Sequence, residues 1–386
     1  MNVLFLSPGY PPEMVEYTRG LKEVGATILG VGDTPYHNLP PKARDALNDY
    51  LQVPSILDEH QLITRVQHWL RGRPIDRLEA LWEILVLTAA KLREHLNIPG
   101  MSVDTVLGFR DKQLMKERIA QAGLRVPKAH KAHTVQQVYE AIREIGYPLI
   151  LKPISGAGSA DTYRIEHEQH LEQTLPKLRH VPTVSVEEFV AGEEFTFDTL
   201  CIDGDIVYMN IAQYLPKPLE ARSNEWISPV IITVRNLEQP KLQRGIELGK
   251  GVLKALNMGT GLTHMEWFLR PDGEAVFGEI GCRPGGAHLV DQMNYTNDTD
   301  LFREWARAVC WKHSQVSTTR LYNTAIIFKR AQGRGIIRHI QGKYEFLRRF
   351  HPWVCTEQLL SEGAPRRNWK QTLLSDGFLI IRHPEW

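Results

Sequence analysis

The sequence predicts an α/β protein of several domains that opens on a parallel sheet. Three observations carry this. The first 31 residues read strand, helix, strand, the order that favours parallel pairing. Residues 104–330 alternate apolar β-type runs with amphipathic helices. Two of those runs flank an Asp-Gly pair, the strongest short signal for a β-hairpin. A hydrophobic fraction of 42% over 386 residues is enough for two or three domains with cores of their own.

Strand Val3–Leu6 runs into the loop Ser7–Pro12. A helix carrying Met14, Val15 and Leu21 follows and ends near Gly25, ahead of strand Ala26–Val31. Leu78–Leu96 reads as one helix, broken by Asn97-Ile98-Pro99-Gly100. Asp111–Ala122 is helical, with Leu114, Met115 and Ile119 on one face and Gly123 at its end. Thr134–Ile145 is helical too: Thr134 and Gln137 make a capping box, and Val135, Val138, Ile142 and Ile145 form its stripe. Strand Tyr147–Lys152 leads into the loop Ser155-Gly156-Ala157-Gly158-Ser159, and Thr183–Val190 is a further strand. Strands Phe195–Ile202, Ile206–Ala212 and Ile227–Val234 precede a helix near Leu242–Leu256, the hairpin Leu262–Ile280 and a helix near Asp300–Cys310. The stretch Gln213–Ser228 reads as a long loop, a common place for function.

Bulk properties exclude some classes. With 46 basic and 45 acidic residues, neither a nucleic-acid groove nor a membrane surface is the expected partner. No apolar run approaches the roughly 20 residues of a membrane span. The four cysteines (Cys201, Cys282, Cys310, Cys355) are scattered, as expected of reduced thiols in the cytoplasm.

Several segments bear chemistry. Lys152 ends a strand and is followed at once by Gly156 and Gly158. Glycines let backbone N–H groups approach a phosphate, and the lysine adds a charge for it. A plain turn between strands reads equally well from that segment alone. In the hairpin, a loop of two or four residues centred on Asp272-Gly273 sets Glu266 opposite Glu279 and His264 opposite Gly281. A three-residue Pro-Asp-Gly loop with a bulge shifts the register by one and turns the glutamates to opposite faces. Like charges face to face destabilise a sheet unless a cation lies between them, and two carboxylates with nucleotide phosphates are a usual way to hold magnesium. Arg283 leaves the second strand in Arg-Pro-Gly-Gly, where its planar fork suits a carboxylate or phosphoryl group or a neighbouring surface acid. Glu187, Glu188, Glu193 and Glu194 crowd one strand end, either as a solvated edge or as a binding edge.

In this order, the features resemble the ATP-grasp superfamily, over roughly residues 104–337. The resemblance implies an N-terminal α/β domain (1–105), a lid lobe (106–190), a catalytic lobe (191–325) and a C-terminal subdomain (326–386). It implies that Lys112, in Asp111-Lys112, contacts the α-phosphate and that Lys152 bridges the α- and β-phosphates. Ser155, Gly156, Ala157, Gly158 and Ser159 become a lid loop. Glu187, Glu188, Phe189 and Val190 become the hinge that reads adenine, and Glu194 the ribose-binding acid. Glu266 and Glu279, thirteen residues apart, match the family's two magnesium carboxylates. Arg283 resembles the arginine that steadies an acyl phosphate in the ligase subgroup, and His264 a basic position near the phosphates. One departure stands out: Gly281 occupies the position of the family's metal-binding asparagine.

The resemblance implies a ligase using ATP and Mg2+, or Mn2+ in its place, to activate a carboxylate as an acyl phosphate and join it to an amine, releasing ADP and phosphate. Lys112, Lys152 and Arg283 offset the charge of the moving phosphoryl group. Small-molecule acids and amines are the expected partners, with a homodimer as the candidate assembly. The loop Ser7–Pro12, the segment Gln213–Ser228 with Lys217 and Arg222, and the turn Ala287–Asp291 are the expected substrate walls. Competing readings are ATP-grasp enzymes of other chemistry (a thiol ligase, a kinase or, least favoured, a carboxylase subunit) and a nucleotide-binding subunit without turnover.

Overall fold

The computed structural model describes residues 1–154, 161–369, 372 and 374–385. Four short strands, β1 (Asn2–Leu6), β2 (Thr27–Gly32), β3 (Asp49–Gln52) and β4 (Arg77–Glu79), form a parallel sheet in the order β3-β2-β1-β4. Val3 and Phe5 pack on one face with Tyr17, Leu21 and Trp305, and Leu4 and Leu6 on the other with Leu62, Val66 and Leu92. Burial on both faces is why β1 reads as an unbroken apolar run. The expected helix over Leu78–Leu96 is shorter. Leu78 pairs with Leu4 in β4, and the α-helix starts only at Val86, after a 3-10 turn at Glu83–Leu85.

The second sheet is antiparallel. It comprises β5 (Ala129–Ala132), β6 (Leu149–Pro153), β7 (Tyr163–Ile165) and β8 (Val184–Glu188), ordered β5-β8-β6-β7. Helix Val135–Ile145 buries Val138, Ala141 and Ile142 against it, while Val135 in the first turn is exposed. Thr134 caps its N-terminus as the sequence predicts, its Oγ1 accepting from the Gln137 N–H, but Gln137 Oε1 accepts from the His133 N–H, one residue before the cap, in place of the reciprocal bond of a capping box.

The third sheet contains β9 (Glu193–Ile202), β10 (Asp205–Asn210), β11 (Ala212–Leu215), β12 (Val230–Thr233), β13 (Gly261–Leu269), β14 (Ala275–Gly281), β15 (Asn323–Phe328), β16 (Val354–Leu359) and β17 (Gly377–His383). All its pairings are antiparallel, in the order β14-β13-β9-β11-β12-β15-β17-β16, with β10 also on β9. The final sixty residues therefore extend this sheet through β16 and β17. Helix Pro240–Ala255 lies against the sheet at close range. A Cβ at Gly245 would run into the Trp267 ring, and one at Gly249 into the Phe197 ring. Helices Val103–Arg110 and Lys112–Gln121 pack Val106, Phe109, Met115 and Ile119 into the same core. The stretch expected as a long loop, Gln213–Ser228, holds most of β11 and the helix Pro218–Ser223. Among the described residues no helix is long and apolar enough to cross a membrane.

Candidate active site

The site is built around the β13–β14 hairpin. Alternation along β13 sends Met265 and Trp267 into the core and His264 and Glu266 to the opposite face. The turn is the three-residue Pro271-Asp272-Gly273: Arg270 N–H donates to Glu274 O, and Leu269 pairs with Ala275. Continued, that register would separate the two glutamates. A bulge beside Gly278 restores it, so Glu266 pairs with Glu279 and His264 with Gly281. A Cβ at Gly278 would lie 2.8 Å from the Glu266 carbonyl oxygen, so the bulge closes only around glycine.

Cations from two elements meet the carboxylates here. Lys112, at the first turn of its helix, reaches Glu279 at 3.2 Å. Lys152, on β6, lies 2.8 Å from Glu187 Oε2, and Lys116 lies 2.6 Å from Glu187 Oε1. Glu187 is only 5% exposed. Burial alone would raise its pKa, but the two lysines drive it far below the usual carboxylate range. Burial lowers Lys116 to about 8 despite Glu187, whereas for Lys152 the charges of Glu187 and Glu279 outweigh burial and raise the pKa.

On the other side of the hairpin, His264 Nδ1 lies 2.6 Å from Asp198 Oδ1, its cross-strand partner on β9, and Nε2 lies 3.7 Å from Glu266 Oε1. Asp198 overcomes the effect of burial and lifts His264 to about 9. Tyr214 donates to Glu266 Oε1 at 3.1 Å. Burial, then the charge of Glu266, pushes Glu194 up to about 8, while His264 and Tyr214 hold Glu266 low. Arg283 pairs with Glu83, delivered by the N-terminal domain, and Glu83 also pairs with Arg110. Beside Glu83, the Trp82 ring meets the Tyr10 ring edge-on at 4.9 Å, so the loop Ser7–Pro12 does border this corner.

The hinge differs in detail from the expected arrangement. Glu188 is taken up by Arg125 at 2.6 Å and the Lys128 N–H at 3.1 Å, a structural staple. β8 ends at Glu188, leaving Phe189 and Val190 outside the strand ladder. The Phe189 ring sits under Arg164 at 4.0 Å and 6.0 Å from Lys217, whose charge also acts on Glu194. The segment expected over the acceptor thus sends Lys217 to the hinge, while Arg222 stands near Arg330. Ser155, Gly156, Ala157, Gly158 and Ser159 lie outside the described residues.

Residues 145–291 match the family described as the ATP-grasp domain, and residues 22–100 match the ATP-grasp N-terminal domain; together these are more than half of the chain. The chain belongs to the ATP-grasp family. It is 29% identical to an L-arginine-specific L-amino acid ligase of Bacillus subtilis over 276 residues, 70% of this chain and 66% of that protein. It is 25% identical to an alanine–anticapsin ligase of Bacillus subtilis over 251 residues, 59% of this chain and 52% of that protein. The matched stretches thus span less than two thirds of those relatives. The crystal structure of an L-amino acid ligase from Bacillus licheniformis superposes with a TM-score of 0.79 at 21% identity, covering 100% of this chain and 94% of that one.

ATP and a divalent metal are what ATP-grasp ligases use. The residues here fit such an ion. Two carboxylates face each other across one hairpin. Among the described residues no three His, Cys, Asp or Glu side chains are grouped to hold a metal, so nucleotide oxygens would have to complete the shell. The sequence reading missed Lys116, Glu83, Arg110, Asp198 and Tyr214. Lys116 carried a signal, a lysine one residue past buried Met115 and four past Lys112, and so did Asp198, an acid in the apolar run of β9. Glu83 carried none, because its partner Arg283 is two hundred residues away.

Proposed function

We propose that this ATP-grasp protein is an ADP-forming carboxylate–amine ligase that uses Mg2+, with an amino acid as the carboxylate donor. The observation that carries the reading is the Glu266–Glu279 pair, with Lys112 in contact with Glu279 and the charges of Lys152 and Arg283 acting on the pair. The names of its relatives support the amino-acid class. Lys112 and Lys152 would exchange their carboxylate partners for the phosphates of ATP. A magnesium ion held by Glu266 and Glu279 would supply charge shielding for phosphoryl transfer. Arg283, its fork held by Glu83, would grip the donor carboxylate as it takes the γ-phosphoryl group and stays as a mixed anhydride. The amine then attacks the acyl carbon, the C–O bond to phosphate breaks, and amide and phosphate leave. Phe189 and Val190 would border the adenine, and protonated Glu194 would donate a hydrogen bond to ribose. Free cysteines at all four positions support action in the cytoplasm.

The test is ADP and phosphate release with ATP, Mg2+ and a panel of L-amino acids, alone and in pairs. Release only with particular pairs, with a dipeptide in the product, is the expected result. AMP as product, or phosphorylated acid with no amide, would overturn the ligase reading.

A further inference from the structure

Charge is unevenly spread along the chain. Residues 329–350 hold seven lysines and arginines against one glutamate, a net charge of +6, while the chain as a whole is +1, so all its other residues together sum to −5. Part of this block is structural. Arg330 donates to the Ala221 carbonyl at 2.7 Å and the Asn224 carbonyl at 2.8 Å, and Lys343 pairs with Glu357 at 3.0 Å. The rest is left over. Among the described residues Arg334, Arg338, Arg348 and Arg349 enter no ion pair, and all four are exposed.

Solvation alone would account for the arginines but not for the apolar side chains between them. Ile336 is 56% exposed and Tyr344 89% exposed, and Phe350 also lies open. The helix Lys343–Phe350 buries none of its residues, although eight are too few for a helix to be stable unaided. Arginine interleaved with open aromatic and aliphatic side chains is the composition of a protein-binding surface. We propose that the face formed by residues 334–350 docks an acidic segment of a partner protein, one that carries apolar side chains among its carboxylates. Charge complementarity selects that occupant. A nucleic acid or a membrane would reach past the face and meet a remainder of its own sign, whereas a short segment meets the basic face alone. Through Arg330 the face is fixed to the helix Pro218–Ser223, on the segment that sends Lys217 to Phe189 at the hinge. A docked partner is thereby held beside the segment that borders the nucleotide. The inference needs no turnover and stands apart from the ligase reading.

The experiment is fluorescence anisotropy on the full chain with a labelled peptide of Glu-Glu-Leu repeats. Its Gln-Gln-Leu counterpart, a single-stranded RNA and phosphatidylserine vesicles are the other probes, and sedimentation reports self-association. Binding of the acidic peptide that weakens with salt, and is missing for the neutral one, is the expected result. The triple variant Arg338→Gln, Arg348→Gln, Arg349→Gln should lose about tenfold in affinity. Tyr344→Ser should weaken binding as well, and both variants should melt like the wild type because none of these side chains is buried. No binding of the acidic peptide, or binding that the variants leave unchanged, would overturn the proposal. RNA or vesicles bound more tightly than the peptide, and lost in the triple variant, would replace the acidic protein with a nucleic acid or a membrane. A dimer that the triple variant dissociates would make the occupant a second copy of this chain, and would equally overturn it.

Discussion

Glu266 stands directly opposite Glu279 across the β13–β14 ladder, and each carboxylate has a cation on its outer side, His264 on Glu266 and Lys112 on Glu279. Facing carboxylates repel, and a doubly charged ion relieves that repulsion. His264 and Tyr214 nevertheless favour the ionised form of Glu266, so Glu266→Gln should lower melting slightly in the absence of ligand, and should abolish the stabilisation that ATP with Mg2+ gives the wild type. Turnover should fall by about 10³, the loss expected when several kcal/mol of charge stabilisation go. Thermal shift with and without ligand, beside a phosphate-release assay, checks both halves.

The register that makes this pair hangs on Gly278. A methyl group there meets the Glu266 carbonyl at 2.8 Å, against backbone that cannot swing away. Gly278→Ala should lose about 1–3 kcal/mol by overpacking. If the hairpin relieves the clash by giving up the bulge, Glu266 and Glu279 no longer share a face. Urea unfolding measures the first effect. Loss of metal-dependent nucleotide binding in protein that is still folded reports the second.

Gly278 also shows what the sequence could and could not tell. Arithmetic on Asp272-Gly273 led to the right facing pair through a loop length the hairpin does not use, because a bulge leaves no local signature besides a glycine. The parallel sheet, the lysine-bearing strand β6 and the capping of helix Val135–Ile145 were legible because each follows from short-range pattern. The Glu83–Arg283 and Asp198–His264 pairs were not, because each joins segments remote in sequence. The helix expected from Leu78 failed for a related reason: three residues pairing with Val3–Phe5 override an apolar spacing that suits a helix.

Lys116 is a test of how the buried charges balance. It is 9% exposed and shares Glu187 with Lys152. Lys116→Met should cost little, because Glu187 keeps Lys152 as its partner and burial already opposes the charge of Lys116. Adding Glu187→Gln should cost about 3 kcal/mol more, because it leaves Lys152 buried without that anion. Denaturant midpoints of the two single variants and the double variant form the cycle. Additive losses would mean that the two residues are energetically independent.

Glu194 gives the pH dependence. Its folded pKa, about 8, lies above the ordinary 4.5, through burial and then the charge of Glu266. Below 4.5 the group is protonated both folded and unfolded and contributes no pH dependence. As pH rises from 4.5 to 8 only the unfolded chain releases the proton, so stability falls, and above 8 the penalty is constant. Glu194→Gln removes the penalty. Its melting temperature should match the wild type near pH 4.5 and exceed it increasingly up to pH 8. A difference that is constant across the range would show that Glu194 does not titrate in this way.

Glu83 should matter for rate more than for folding. It pairs with both Arg283 and Arg110, and its neutral replacement leaves two guanidinium groups without their shared anion. Arg283 then keeps its hydrogen bond to the Pro284 carbonyl but loses the contact that aims its fork. Glu83→Gln should lower kcat about tenfold or more, the scale of removing an orienting contact. ATP affinity should hold, because Lys112 and Lys152 are anchored elsewhere. Steady-state kinetics with varied ATP and varied acid separates the two. A change confined to the KM for ATP would show that Glu83 serves the nucleotide side of the site instead of the carboxylate held by Arg283.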